Sequence, residues 1–156
     1  MKIIDVFLSR PNRVPEHVEK QFSMFYPLLE ENGFRPRTIG MDVVPISTPF
    51  QHVVNLMNQC QCTIVLGLPQ IWVATGRLKG KEIEKSFSLP TEWNQIEAAI
   101  SIMLNKPTLM MLHKGVSARG LFERGAANVF VHEFHTLGPK WVKEIEPKLV
   151  ALRESI

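Results

Sequence analysis

Cys62-Thr63-Ile64-Val65-Leu66 is the stretch of this chain that best indicates its fold. An unbroken run of apolar and β-branched residues predicts a strand that is buried on both faces, as central strands of parallel sheets are. Similar runs at 3–8 and 107–112 predict two more buried strands. A more polar run at 34–39 predicts a strand nearer the sheet edge, and 129–131 a short last strand.

Helical patterns alternate with these strands. Amphipathic spacing predicts helices at 15–32, 49–59, 91–104 and 139–153. The residues of the third helix that should face the sheet are Ile96, Ala99, Ile100 and Met103. The alternation predicts an α/β fold of the flavodoxin-like, doubly wound kind, in which a five-stranded parallel sheet of order 2-1-3-4-5 carries helices on both faces. We expect residues 1–156 to form one domain, which could be the N-terminal domain of a larger protein.

The composition is that of a globular protein with a small positive charge. The 156 residues have a formal net charge of +3 and are 45% hydrophobic. Nucleic acid is not indicated as a partner, because phosphate binding needs clustered cations and the lysines and arginines are dispersed. There is no signal-peptide pattern and no apolar run of roughly 20 residues, so we expect a cytoplasmic protein without a membrane partner. Cys60 and Cys62 should be buried free thiols.

A long stretch, 67–90, separates the central strand from the third helix. Loops of this length in compact domains are often functional, and we expect this one to be irregular, with Trp72 anchoring it to the core. In doubly wound sheets, ligands bind beyond the carboxyl ends of the strands, near the switch between strands 1 and 3. This rule predicts one crevice formed by 7–12, 67–72 and the beginning of the helix at Thr91.

Thr91-Glu92-Trp93-Asn94-Gln95-Ile96-Glu97 carries the best candidate for chemistry. Thr91 can cap the helix, and Trp93 and Glu97 are four positions apart, so their side chains share one helix face. A carboxylate beside an indole in a partly dry cleft can stabilise a developing cation or hold the hydroxyls of a sugar. The ordinary alternative is a solvated helix glutamate beside a core aromatic. The common glycine-rich nucleotide motifs are absent from the sequence.

Three motifs together resemble a bacterial TIR (Toll/interleukin-1 receptor) domain. Asp5-Val6-Phe7-Leu8-Ser9 resembles the opening box of that family. Asp42 and Pro45, followed by a helix and Cys62–Leu66, resemble its BB loop, helix B and third strand. Thr91–Glu97 resembles its S-x-W-C-x-x-E motif, with Thr91 for serine and Asn94 for cysteine.

The resemblance implies cleavage of NAD at its nicotinamide–ribose bond, with NAD as substrate and no further cofactor. It makes Glu97 the catalytic residue, and the residues that would contact the substrate are Phe7, Ser9, Arg10, Asp42 and Trp93. A cation such as Arg10 beside the cleft would suit a pyrophosphate. The resemblance also implies a role in bacterial antiphage defence, activation by homo-oligomerisation through the 40–48 loop, and a fused or associated sensor domain.

Two other functions remain open at this point. A nucleoside 2-deoxyribosyltransferase-like enzyme would share the sheet and a glutamate on a helix, although Pro90-Thr91 stands where that family has Gly-Thr. A TIR-type interaction module would use Val43, Val44 and Ile46 for assembly and would not catalyse. His113, His132 and His135 match no metal motif, so no metal site is predicted, and we interpret them as surface or hydrogen-bonded histidines.

Overall fold

A computed structural model describes residues 2–40, 47–135 and 138–156. Its larger elements, in chain order, are β1 (Ile4–Ser9), α1 (Glu16–Glu31), β2 (Phe34–Arg37), α2 (Pro49–Gln59) and β3 (Cys62–Gly67). Four short strands follow: β4 (Ile71–Val73), β5 (Arg77–Leu78), β6 (Lys81–Glu82) and β7 (Phe87–Leu89). The chain continues with α3 (Glu92–Met103), β8 (Thr108–His113), a single 3₁₀ turn (Gly120–Phe122), β9 (Val131–Phe134) and α4 (Pro139–Glu154).

The central sheet has five strands in the order β2-β1-β3-β8-β9, and every neighbouring pair is parallel. Counted along the chain within this sheet alone, the order is the predicted 2-1-3-4-5. Side chains of α1 and α4 pack on one face and those of α2 and α3 on the other. The predicted flavodoxin-like, doubly wound fold is therefore confirmed.

Side chains of β1 point alternately to the two faces of the sheet and pack into the core on each face. Val6 and Leu8 belong to the core cluster on the α1/α4 face, where the rings of Phe25 and Trp141 meet edge to face with centroids 5.0 Å apart. Phe7 points the opposite way and packs with residues of α2 and α3. Because successive residues of a strand face opposite sides, β1 is held from both layers, and its carboxyl end is fixed between them.

The stretch between β3 and α3 is ordered, and we call residues 71–89 the arm. Strand β4 pairs antiparallel with β7, and β5 with β6. Main-chain hydrogen bonds of Ser88 with Gly115 and Ser117, at 3.2 and 2.8 Å, attach its base to the loop after β8. The expected anchoring role of Trp72 is wrong: its side chain is 67% exposed, because a two-stranded sheet leaves one face to solvent.

Two further expectations differ in detail. Met103 is 80% exposed, because α3 turns Asn94, Ala98 and Ser101 inward, and Ser101 shares a 2.8 Å hydroxyl contact with Thr108. The last strand begins at residue 131, where it pairs with β8, and not at 129. Polar residues that find partners in the core therefore rotate the helix away from the stripe that hydrophobicity alone predicts.

Cys60 and Cys62 are free and buried, as expected. Burial raises the pKa of the Cys60 thiol to about 11 and that of Cys62 to about 12, so both are protonated at neutral pH. A protonated, buried thiol is a poor nucleophile. Within the described ranges, no helix combines the length and the apolar character required to cross a bilayer.

Candidate active site

The carboxyl ends of β1 and β2 open into a cleft of about 270 Å³. Its walls come from the β1–α1 connection, the residues after β2, the first turns of α2 and the beginning of α3. This is the edge of the sheet where doubly wound proteins bind ligands. The segment 67–72, which we expected to share the crevice, does not line this cleft.

The first turns of α3 bring Trp93 and Glu97 to the cleft together. Thr91 is the N-cap: its hydroxyl oxygen accepts the main-chain N–H of Asn94 at 3.1 Å, which begins the helix at the predicted place. From that start, one helical turn separates the indole from the carboxyl group. Trp93 is 39% exposed and Glu97 is partly buried, so a ligand in the cleft can reach both side chains.

Ser9 connects β1 to this helix. The side-chain Nδ2 of Asn94 donates a hydrogen bond to the hydroxyl oxygen of Ser9 at 2.9 Å, and Ser9 in turn bonds the Glu97 side chain. Asn94 is itself held, because its Oδ1 accepts the hydroxyl of Thr91 at 2.9 Å. Since Ser9 accepts from Asn94, its own proton is free to be donated to the carboxylate of Glu97. Both Ser9 and Asn94 are buried, 1% exposed each.

The environment of Glu97 changes its acidity. Burial raises its pKa from the usual 4.5 to about 7, and the hydrogen bond from Ser9 opposes part of that rise. Glu97 therefore exchanges its proton near neutral pH, whereas an exposed glutamate is fully ionised there. A carboxyl group with this pKa can act as a carboxylate that offsets positive charge or as an acid that supplies a proton.

Arg10 does not present its charge to the cleft. Its guanidinium makes two hydrogen bonds to the carboxylate of Glu19, at 2.7 and 3.2 Å, and one to the hydroxyl of Tyr26 at 3.1 Å. It also lies 3.9 Å above the ring of Phe22 and has no exposed side-chain surface. The structure therefore places the buried guanidinium of Arg10 in an ion pair with the half-exposed carboxylate of Glu19, and this pair fixes α1 to the end of β1.

The other residues predicted to contact the substrate do not all lie at the cleft. Phe7 is 1% exposed and packs beneath the cleft in the core between the sheet and α2/α3, so it does not line the cleft. Ser9 contacts Glu97, as described above. Asp42 lies outside the described residues. Of the substrate contacts expected from the sequence, the structure thus brings Trp93 and Ser9 to the catalytic candidate and places Phe7 and Arg10 in supporting positions.

The opposite wall was anticipated only in part. Asn12 belongs to the predicted segment 7–12, whereas Thr38 does not. Thr38 is fixed by donating its hydroxyl proton to the carbonyl of Leu8 at 3.1 Å. Gly40 has φ +80°, and a Cβ there would lie 2.7 Å from Nδ2 of Asn12. The glycine after β2 therefore allows this part of the chain to approach the β1–α1 connection closely, which narrows the cleft.

Comparison with known proteins supports the fold. No protein-family model matches the chain, and no curated protein matches it. Among solved structures, that of the Clostridium botulinum CMP N-glycosidase BcmB is similar, with a TM-score of 0.61 and 13% sequence identity. The match covers 92% of this chain and 98% of the other. At this identity, the likeness shows a shared fold.

Asn94 has a structural role that its place in the motif does not reveal. It stands where the TIR motif has cysteine, and its side chain joins the helix cap to Ser9. The available signal was Thr91 at the cap position with an amide three residues later, a pattern that places polar side chains next to each other at a helix start. In the part of the chain that the structure describes, no three histidine, cysteine or acidic side chains are placed to hold a metal ion.

Proposed function

We propose that this chain is an enzyme that cleaves an N-glycosidic bond between a base and a ribose-type sugar, in the cleft beside Glu97. One observation carries the proposal: a partly buried glutamate with a pKa of about 7 is held by Ser9 one helical turn from an exposed indole. Such bonds break through an oxocarbenium-like transition state, in which positive charge develops on the sugar. A fixed carboxylate offsets that charge.

Each neighbouring side chain has a place in this chemistry. Glu97, in its ionised form, stabilises the sugar cation and orients its hydroxyl groups. Trp93 offers an exposed flat surface on which a base or sugar ring can stack. Ser9 donates a hydrogen bond that favours the ionised form of Glu97, and Asn94 keeps Ser9 in that orientation. A water molecule in the cleft would then bond to the anomeric carbon and lose a proton, while the base leaves with the electrons of the broken bond and takes up a proton from solvent.

A nucleoside or nucleotide is the substrate class that we favour. The structural neighbour is a CMP N-glycosidase, so the same fold supports base release from a nucleotide in that protein. A nucleoside 2-deoxyribosyltransferase-like enzyme belongs to the same chemical class. NAD, as in TIR enzymes, is the second candidate, because two of the three segments that resemble TIR motifs meet directly at the Ser9–Asn94 hydrogen bond.

The test is release of the free base by the purified chain, measured by chromatography with CMP, cytidine, deoxycytidine and NAD as separate substrates. Glu97→Ala and Glu97→Gln should abolish release. Glu92→Gln is the matched control, because Glu92 is exposed at the beginning of the same helix and should not matter. Release from none of these substrates by concentrated protein would favour a non-catalytic interaction module.

We also propose that assembly through the 40–48 loop activates the enzyme in a bacterial defence system, triggered by a fused or associated sensor. The support is the apolar sequence Val43-Val44-Pro45-Ile46, whose residues lie outside the described part of the chain. Val44→Asp should abolish turnover and self-association together while the circular dichroism spectrum stays that of the wild type. Unchanged turnover in a monomeric variant would contradict the assembly requirement.

A further inference from the structure

The hydroxyl, amide and charged side chains that line the cleft differ in how far they are already hydrogen-bonded. Thr38 bonds the main chain of β1, and Thr91 caps α3. The guanidinium of Arg10 is engaged in its ion pair, and Glu97 bonds a hydroxyl of β1. Asn12 is different, because its side chain is exposed and makes no hydrogen bond to any residue that the structure describes. The amide of Asn12 can therefore bind a ligand without losing a partner.

The chain around Asn12 holds this amide at the cleft. Arg10 is bonded to α1, and Pro11, the next residue, is buried and has a restricted backbone. Gly40, which follows β2, packs against the amide: a Cβ there would lie 2.7 Å from Nδ2 of Asn12 and 4.0 Å from its Oδ1. The nitrogen therefore faces Gly40, and the oxygen, a hydrogen-bond acceptor, is turned away from it.

Asn12 and Trp93 line the same cleft of about 270 Å³ from two different elements, the β1–α1 connection and α3. The indole offers a flat surface to a ring, and stacking leaves the edge of that ring free for hydrogen bonds. An exocyclic amino group at the edge is a donor, which suits the oxygen of Asn12. A carbonyl at the same ring position is an acceptor and does not suit it. The pair of side chains therefore favours a ring that carries an amino group.

We infer that Asn12 selects the base of the substrate: its Oδ1 accepts a hydrogen bond from an exocyclic amino group while the base stacks on Trp93. The preferred substrates are then nucleosides of cytosine and adenine, and those of uracil and hypoxanthine bind less well. This inference rests on the proposed glycosidic function and names the substrate class of that site. Asn12 contacts the base and takes no part in breaking the bond, so it determines specificity.

The experiment is an equilibrium titration of the full chain carrying Glu97→Gln, which cannot consume the ligand. The ligands are cytidine and uridine, and adenosine and inosine, because each pair exchanges an amino group for a carbonyl on the same ring and all four share one sugar. We expect the amino member of each pair to bind about tenfold more tightly. Equal affinities within a pair, or no saturable binding of either member, would overturn the inference. Selective binding without base release by the wild type would refute the glycosidic function alone.

Further substitutions in the same Glu97→Gln protein make the result specific. Asn12→Leu should bring the two affinities of each pair within about twofold of each other, because it removes the acceptor. Asn12→Asp should increase the preference for the amino member, since both of its side-chain atoms are acceptors. Asn58→Leu is the matched control, because Asn58 is an exposed asparagine of α2 outside the cleft lining, and it should leave the preference unchanged. A preference that survives Asn12→Leu would assign base selection to another group and refute the role of Asn12.

Discussion

Nδ2 of Asn94 lies 2.9 Å from the hydroxyl oxygen of Ser9, so that α3 and β1 hold Glu97 through a single hydrogen-bonded bridge. This contact decides which way the Ser9 proton points. As long as Asn94 donates, Ser9 must donate onward, and Glu97 is the acceptor. The protonation of the proposed catalytic group therefore depends on a side chain that does not touch it in the described contacts.

Asn94→Asp should move the pH–rate profile. The new carboxylate would be an acceptor, so the Ser9 proton would turn to it, and Glu97 would lose a donor and gain a like charge nearby. Both effects raise the pKa of Glu97, and the rising limb of kcat/KM should shift to higher pH. We expect kcat/KM to fall about tenfold at pH 7 and to recover substantially at alkaline pH. Ser9→Ala should shift the limb in the same direction.

A uniform loss of activity at every pH would contradict this positioning role. Gln95→Ala provides a control from the same turn of α3, since the Gln95 side chain bonds the main chain of Arg119 and Leu121. That variant should leave the midpoint of the profile in place. Direct observation of the Glu97 carboxyl carbon by NMR would give the same information without substrate, and so would separate positioning from catalysis.

Glu97→Gln should stabilise the protein above neutral pH. The folded pKa of about 7 exceeds the usual 4.5, so between these values the folded chain holds a proton that the unfolded chain has lost. The free energy of unfolding therefore falls as pH rises from 4.5 to 7, and it is constant with respect to this group outside that window. Glutamine removes the effect, so at about pH 8 the variant should be up to about 3 kcal/mol more stable.

Urea unfolding at about pH 4, 6 and 8 measures this difference. The two proteins should be nearly equal at the lowest pH and should diverge as pH rises, while the variant has no activity at any pH. If Glu97→Gln is less stable than the wild type at the highest pH, then Glu97 is not a desolvated carboxylate in the folded protein, and the basis for its raised pKa is lost.

Trp93→Ala should weaken substrate binding more than it slows the reaction. Loss of a stacking surface costs about 0.5–1.5 kcal/mol, which corresponds to an increase in KM of about two- to tenfold with a smaller change in kcat. Trp93→Phe should retain most of the affinity. Trp72→Ala is the matched control, because that indole is also exposed but stands on the arm, outside the cleft lining. Equal effects of the two alanine variants would count against stacking at Trp93.

Glu19→Gln should destabilise the fold without a direct effect on chemistry. The change leaves the buried guanidinium of Arg10 without its anion, and we expect a loss of about 1–3 kcal/mol in the free energy of unfolding. Glu16→Gln is the control, because its ion pair with Lys20 is exposed on both sides and should contribute less than about 0.5 kcal/mol. If Glu19→Gln raises KM under conditions in which the variant is still fully folded, then Arg10 contacts the substrate.

The same pair has a defined pH dependence. The hydrogen bond from Arg10 lowers the pKa of Glu19 below the usual 4.5. A lowered folded pKa means that the pair contributes stability above the unfolded value, and that this contribution is lost as pH falls through the folded pKa. In wild type and Glu19→Gln, measured side by side, the stability advantage of the wild type should therefore shrink on acidification below pH 4.5. The sign is opposite to that at Glu97, where acidification from pH 7 to 4.5 stabilises the wild type.

The sheet and its order were predictable because their signals are local and strong. Buried runs such as Cys62–Leu66 fit only a central strand, and the alternation with amphipathic helices leaves few parallel topologies. The arm was not predictable, since its strands are two or three residues long and mostly exposed, and they carry no hydrophobic period. Met103 was expected to face the sheet but is exposed, because polar core partners, and not hydrophobicity alone, set the rotation of α3.

The candidate site was predictable in part for a similar reason. Helical spacing is enough to place Trp93 and Glu97 on one face, and the cap at Thr91 fixes where that face begins. The direction of the Arg10 side chain could not be predicted, because its partners, Glu19 and Tyr26, are distant in sequence and become neighbours only after α1 packs on the sheet. Phe7 shows the limit of the strand pattern: alternation tells which residues share a face, but not whether that face opens to a cleft or to the core.

The tip of the arm is a place where a foreign sequence can be inserted into the chain. Its base is hydrogen-bonded to the loop after β8. At its tip, Lys79 and Gly80 make a turn with positive φ values of 51° and 80°. The tip is open, because an added Cβ at Gly80 would meet nothing within 4 Å. Inserted sequences and proteolytic nicks are best accepted at such exposed tips. A fluorescent or affinity tag could therefore be placed between these two residues, which would let the protein be followed or captured with the cleft at Glu97 undisturbed.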